Sequence, residues 1–406
     1  MDSNHLKNRI ILFTLWLIIF ASSSQFLIIA PILPQLGEEL NISDDQLGLL
    51  VTSYAIFLAF FAIISGPVSD RIGRKRILLI GSGTMAVALF MHTMAYDFSS
   101  MLTVRALAGA SGGVLTGACV SYIGDYFPSK KRGWANGWVA TGSAAGQVMG
   151  IPFGSLMAGW FGFESPFLLF SGIMVLAFGL VLIEIPQPIV DRDLKRLTIK
   201  RSFNDYFSLI KNKNTALISF AYGLMFLSFS VFIFYLPSFL TTLCGFTGFE
   251  LSLLFLIGGV ASVIGGPWAG KLSDRIGRKN IILMSSIGLF VTMILTSIFV
   301  DNFYEAYSMF FVFMLLTSAR LGPFRALVSE ITTADKRGKL MSLSISLGQL
   351  GMALGGIIAG IIYAEYGFWL NTIISGIAVL FFGILVWKYV EEPIPVAEVA
   401  VDRVSD

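Results

Sequence analysis

Apolar residues in this chain run in long unbroken stretches, separated by short polar connections. Counting them gives twelve stretches: 10–30, 46–66, 77–96, 100–123, 134–160, 166–186, 215–239, 248–270, 280–300, 304–328, 340–363 and 369–389. A helix that crosses a bilayer needs about 20 apolar residues, so each stretch is long enough to span. In hydrocarbon every backbone N–H and C=O must be bonded within the segment, which requires helices. A membrane β-barrel would show strands of about 10 residues with alternating polarity, and these stretches are longer and continuously apolar. The pattern predicts an all-α membrane protein with twelve transmembrane helices, spans 1 to 12.

Composition narrows the class further. Of 406 residues, 55% are hydrophobic and 13% charged, against about 45–50% and about 25% in a soluble domain. The mean hydropathy is +0.79. A disordered chain, a disulfide scaffold and an ordinary soluble enzyme are excluded. Twelve spans with short loops fill the length and leave no room for a large soluble domain. Cys119 falls inside an apolar stretch and Cys244 in a short loop, so neither a disulfide framework nor a metal cluster is expected. No cofactor is expected either. The apolar stretch after Lys7 and Arg9 is too long for a signal peptide and lacks a cleavage pattern, so it is read as span 1.

The net charge of +3 says little, but its distribution says much. Loops on one side hold Lys7 and Arg9, Arg71 to Arg76, Lys130 to Arg132, Arg192 to Lys213, Lys271 to Lys279, Lys336 to Lys339, Lys388 and Arg403. Loops on the other side carry no Lys or Arg, only acids such as Glu38, Asp44, Asp97, Glu164 and Glu365. Positive loops stay inside, so both termini are expected in the cytoplasm, in a bacterial-type inner membrane. Three basic residues remain inside spans: Arg105, Arg320 and Arg325.

The halves repeat. Gly66-Pro-Val-Ser-Asp70-Arg71-Ile-Gly73-Arg74-Lys75 follows span 2, and Gly270-Lys-Leu-Ser-Asp274-Arg275-Ile-Gly277-Arg278-Lys279 follows span 8, 204 positions later. Asp125 and Lys131-Arg132-Gly133 recur as Glu330 and Lys336-Arg337-Gly338 at an offset of 205. Gly146 and Gly150 of span 5 match Gly351 and Gly355 of span 11 at the same offset. Copies of like topology are related by an axis along the membrane normal. The expected domains are an N-terminal six-helix bundle (1–186), a cytoplasmic linker (187–214) and a C-terminal six-helix bundle with a short tail (215–406).

These residues resemble the major facilitator superfamily. The Gly-x-x-x-Asp-Arg-x-Gly-Arg-Lys loop is its most specific signature, and it stands here twice. Arg105-x-x-x-Gly109 in span 4 is similar to a second motif. In span 5, Gly146, Gly150, Pro152 and Gly154 resemble the motif of the drug-exporting antiporter branch. Ile151 separates Gly150 from Pro152, and Ser155 replaces a final glycine. The same glycines also serve plain close packing of two helices. The resemblance implies a secondary transporter working by alternating access, without enzymatic chemistry. Its expected partners are the bilayer, a small-molecule substrate and, as a candidate, protons. Neither nucleic acid nor a second copy of the chain is expected.

What the family implies for the loop motif is a gate. Gly66 and Gly73 allow tight backbone approach. Asp70 can complement the positive end of a neighbouring helix, and Arg74 can pair with Asp125. Asp274, Arg278 and Glu330 supply the second copy. Arg71 and Lys75 need nothing beyond the positive-inside rule. Spans 1, 4, 7 and 10 line the cavity in this family. Candidate cavity residues are therefore Gln25, Arg105, Tyr222, Tyr235 and Arg320, with Gln147 and Gln349 from spans 5 and 11. Arg105 has a second reading as a structural residue bonded to carbonyls, and Arg325 reads equally as a residue reaching the interface. No acid lies at mid-membrane. The cavity should then be neutral to positive, favouring neutral, amphipathic or anionic cargo over lipophilic cations. Export of hydrophobic or amphipathic solutes is the first reading, and an organic-anion, zwitterion or lipid-like solute importer or exchanger the second. A transporter-like sensor and a polytopic membrane enzyme are remote alternatives. We expect Asp70→Ala to abolish transport while leaving expression intact. Normal transport by that variant, measured in vesicles, removes Asp70 from the gate.

Overall fold

The computed structural model describes residues 3–188, 209, 211–331 and 334–390, but within them not the side chains of 3–5, 66–67, 70, 129–130 and 334–339. All regular elements among these residues are helical. Span 1 comprises helices Ser3–Leu27 and Ile29–Leu40. Spans 2, 3 and 4 are Asp44–Ile72, Arg74–Met91 and Phe98–Tyr126. Span 5 is Ser129–Ala145, a π turn Gly146–Gly150, and Ile151–Phe161. Span 6 is Glu164–Glu184. Span 7 comprises Lys213–Ile233 and Leu236–Cys244, so Cys244 ends a helix rather than lying in a loop. Spans 8 to 12 are Gly248–Ile276, Arg278–Phe299, Phe303–Glu330, Ala334–Tyr366 and Phe368–Tyr389. Most of the expected linker, and the tail after residue 390, fall outside the described residues.

Among the described residues, eleven helical stretches are each long and apolar enough to cross a membrane. Span 5 is missing from that set because the π turn divides it into two shorter helices. Proline explains the interruption. Pro152 has no N–H to offer, and its ring crowds the carbonyl four residues back, Val148. The backbone widens there into a π turn, and Ile151 N–H bonds back to the Gly146 carbonyl. The same rule breaks spans 1 and 7. Helix Ser3–Leu27 ends four residues before Pro31, and helix Lys213–Ile233 ends four residues before Pro237. The kinks occupy equivalent positions in the repeat.

Within the N-terminal half, span 2 packs on span 4, span 3 on spans 4 and 6, and span 1 on spans 5 and 6. Within the C-terminal half, span 8 packs on span 10, span 9 on spans 10 and 12, and span 7 on spans 11 and 12. Small residues set these distances. A Cβ on Gly109 would lie 2.8 Å from Tyr54 Cα. Gly146 meets Phe20 O and Ser24 Oγ at 2.9 Å each by the same measure, and Gly150 and Gly154 would overlap Ser24 and Ile28. The span 5 glycines thus seat that helix on span 1. Their repeat mates, Gly351 and Gly355, seat span 11 on span 7 at Gly223, Leu227 and Ser230.

Candidate functional site

The halves meet along two antiparallel helix pairs, span 2 with span 11 and span 5 with span 8. Glycine sets both contacts. A Cβ on Gly48 would overlap the Gly356 carbonyl, and one on Gly360 would stand 3.0 Å from the Asp45 carbonyl oxygen. Thr52 Oγ1 donates to the Ala353 carbonyl at 2.7 Å, and Tyr235 Oη to the Asp44 carbonyl at 2.5 Å. In the second pair, a Cβ on Gly248 would lie 2.8 Å from Gly159 Cα, and one on Gly259 2.9 Å from Val148 Cα. All these contacts lie toward the face with acidic loops. Toward the basic face, no other described residue comes within 4 Å of where a Cβ would stand on Gly133, Gly137 or Gly270. Trp134 and Trp268 there are exposed. Both seams are closed on the acidic side, and the seam of spans 5 and 8 has open space beside its glycines on the basic side.

Beside the Val148–Gly259 contact the halves enclose a small central pocket of about 30 Å³. Its wall includes Leu27, Ile151, Phe229, Phe234, Phe255 and Met314, and Gln147 is its polar side chain. The π turn carries Gln147 into this wall. The other cavity candidates sit elsewhere in this conformation. Tyr222 is buried against Phe226 and Phe324, with ring centroids 5.3 and 5.7 Å away. Tyr235 belongs to the seal between the halves. Gln349 is half-buried, and its Oε1 has no partner.

Gln25 and Arg105 are fully buried inside the N-terminal half. The Gln25 amide donates to Tyr54 Oη at 2.7 Å, and Arg105 Nη1 makes long 3.5 Å contacts to both Gln25 oxygens. The Arg105 guanidinium also lies over the Tyr54 ring, 4.7 Å from its centroid. Its Nε and Nη2 have no partner. Arg320 is 1% exposed and lies 5.6 Å from the Phe382 ring centroid, with Nε and Nη1 unpartnered. A ring face and long contacts return about 2 kcal/mol to a desolvated cation, less than burial of the charge costs. Arg325 is exposed. His92 is a packed residue, stacked on Phe167 at 4.2 Å with Nδ1 2.7 Å from the Ala88 carbonyl.

On the basic face, Gly73 and Gly277 have φ of +104° and +90°, a region that favours glycine. Each is the single residue between two helices, so the next residue, Arg74 or Arg278, begins a span. Arg74 turns inward, with Nε donating to Asp125 at 2.5 Å and Nη1 donating to Ser69. Arg278 pairs with Glu330. These pairs join span 3 to span 4 and span 9 to span 10, each within one half. Asp274 is exposed. The side chain of Asp70 lies outside those described. Lys75 N–H donates to Gln187 Oε1 at 3.0 Å, and its Nζ to the Leu182 carbonyl at 2.9 Å, fixing the start of the connection between halves.

A family model described as Major Facilitator Superfamily matches residues 15–319 and 218–403. The chain belongs to that superfamily. A protein named multidrug resistance protein MdtG from Proteus mirabilis is 28% identical over 373 residues, covering 88% of this chain and 90% of that protein. Its namesake from Yersinia enterocolitica is 26% identical over 412 residues, 97% of each. An uncharacterized MFS-type transporter, YceJ of Bacillus subtilis, is 28% identical over 88% of this chain and 89% of its own. Among solved structures, a D-xylose-proton symporter superposes with a TM-score of 0.77 at 17% identity, covering 94% of this chain and 98% of its own. A bacterial homologue of the human lysosomal transporter Spinster, in an inward-facing unoccupied conformation, gives 0.74 at 18% identity, with 95% and 97% covered.

This chain is therefore a multi-pass membrane transporter of the superfamily with its all-α fold. Sequence reasoning singled out its charged loop residues and missed the seam: Gly48, Thr52, Gly159, Gly248, Gly259 and Gly356. The available signal was glycine in the acidic-side parts of spans 2, 5, 8 and 11. The two ion pairs differ in exposure, 9% and 27% for the Arg74–Asp125 side chains against 22% and 38% for Arg278–Glu330. Screening weakens the more exposed pair. Double-mutant cycles to alanine, read by denaturant unfolding in detergent, should give a coupling on the order of 1–3 kcal/mol for Arg74–Asp125 and below about 1 kcal/mol for Arg278–Glu330.

Proposed function

We propose that this chain exports small hydrophobic or amphipathic molecules by alternating access, with its basic face in the cytoplasm of a bacterial cell. The central pocket carries this reading. Its wall is apolar apart from Gln147 and contains no carboxylate, which suits cargo bound by contact area rather than by charge pairing. The names of relatives at 26–28% identity, multidrug resistance proteins, support export. The restriction of Lys and Arg to one set of loops supports the orientation.

The seam suggests the second state. In both close pairs of spans 5 and 8, Gly159–Gly248 and Val148–Gly259, the residue numbers sum to 407. Antiparallel helices in fixed register keep such a sum. Eleven residues make about three turns and return to the same helix face. Eleven residues from Val148 and Gly259 toward the basic face, the register sets Gly137 opposite Gly270. Both are bare backbone with open space beside them. Closing there and parting at Gly159–Gly248 exchanges one glycine contact for another and opens the pocket outward. Asp70, Arg74 and Asp125, with Asp274, Arg278 and Glu330, sit where the halves then join and form the gate. Proton antiport in this scheme runs through the gate carboxylates Asp125 and Glu330.

The buried arginines favour a second reading, exchange of organic anions or zwitterions. Arg105 and Arg320 each hold two guanidinium nitrogens without a protein partner, and a carboxylate or phosphate would satisfy them. The experiment is transport in everted vesicles energised by a pH gradient, with a neutral amphipathic dye and a radiolabelled organic anion as cargo. Accumulation of the dye that collapses with the gradient is expected. Movement of the anion with none of the dye overturns export of hydrophobic cargo and establishes the second reading.

A further inference from the structure

A second inter-half pocket, of about 220 Å³, lies at the acidic face beside the Tyr235–Asp44 seal. The N-terminal half contributes the apolar side chains of Pro34, Ile42 and Leu47 and the carboxylates of Glu38 and Asp44. The C-terminal half contributes only hydroxyl groups as polar donors or acceptors, from Ser238, Thr241, Thr242 and Tyr363. Ser238 is 7% exposed, and its hydroxyl has no partner. The buried hydroxyl of Thr241 has none either. Among the described residues no basic side chain pairs with Glu38 or Asp44, and no Lys or Arg stands in any loop of this face.

Each feature narrows the ligand. The carboxylates and the acidic loops around them repel an anion and attract a cation. Two carboxylates without a third acid, His or Cys fall short of a metal cluster, and among the described residues no such cluster exists. Hydrocarbon beside the carboxylates, with unpartnered hydroxyl oxygens opposite, matches an organic cation that carries N–H donors. We propose that this pocket binds an organic ammonium ion from the acidic face, and that the bound ion holds that face shut. The carboxylates belong to one half and the hydroxyls to the other, so the set is complete only while the halves touch there. A ligand that binds one of two states stabilises it by its differential affinity. The ion acts as a brake on the cycle rather than as cargo, and its site is separate from the carboxylate-free central pocket.

The probe is 1,4-diaminobutane added to the purified full-length protein in detergent. Sodium chloride at equal ionic strength and neutral 1,4-butanediol serve as controls. The diamine should raise Tm saturably, and the controls should not. The rise should vanish in the Glu38→Gln/Asp44→Asn double variant and shrink in Ser238→Ala. Both acids are exposed and Tyr235 bonds the Asp44 backbone, so the double variant keeps its fold and its seal. Spin labels at Tyr96→Cys and Tyr304→Cys, exposed positions on this face of opposite halves, in a Cys244→Ser background, report the closure. The diamine should shift their distance distribution to the short population in the wild-type pocket only. An equal Tm rise in the double variant, an equal rise with either control, or no rise overturns the site. A rise with an unchanged distance distribution overturns the closing role.

Discussion

Close approach of bare helix backbone at glycine is the contact on which the rest of this molecule depends. Lipid tails are as apolar as leucine, so hydrophobic burial cannot drive one span onto another. What remains is dispersion, about 0.1–0.2 kcal/mol per atom pair, summed over helices brought close together. Gly48 against Gly356 and Gly159 against Gly248 supply such approaches between the halves. Gly146 and Gly150 on span 1, and Gly351 and Gly355 on span 7, supply them within each half. Individually weak contacts of one kind suit a machine with two states. The proposed exchange of one glycine seam for another would keep the states within a few kcal/mol of each other, the range in which a ligand selects between them.

Charge is distributed to serve the same end. The ion pairs Arg74–Asp125 and Arg278–Glu330 brace neighbouring spans inside each half and leave the seam free of buried charge. Carboxylates face an inter-half space at the acidic rim, through Glu38 and Asp44, and not in the central pocket. Arg105 and Arg320 are held away from the pocket wall, inside the halves, with nitrogens unpartnered. The central pocket is therefore lined by hydrocarbon and one amide, while the acidic rim pocket is lined by carboxylates.

Much of the fold was legible in the sequence because bilayer thickness and backbone satisfaction leave few solutions for twelve apolar runs. The repeat was legible because Gly73 and Gly277 must adopt positive φ, which ties the loop motif to one residue type. The arginine–carboxylate pairing at both loops was likewise readable from charge at helix ends. The breaks were not read. Pro152 and Pro237 lie inside apolar runs and Pro31 directly follows one, and hydropathy does not register them as missing donors. Nor could the seam be read, since a glycine facing the other half and a glycine facing its own look alike in one dimension. Gln25, Arg105, Tyr222 and Arg320 were chosen for polarity in cavity-lining spans. Helix phase turns each of them into its own half in this conformation.

In the proposed cycle one register, with residue numbers summing to 407, closes spans 5 and 8 at either end. The direct measurement is a cross-link between Gly137→Cys and Gly270→Cys in a background lacking Cys119 and Cys244, formed by a short bifunctional thiol reagent in membranes. Rapid cross-linking that stops transport and leaves the acidic face open to a thiol probe is the expected result. Cross-linking at a shifted pair such as Gly133→Cys with Gly270→Cys, and none at Gly137 with Gly270, would contradict it.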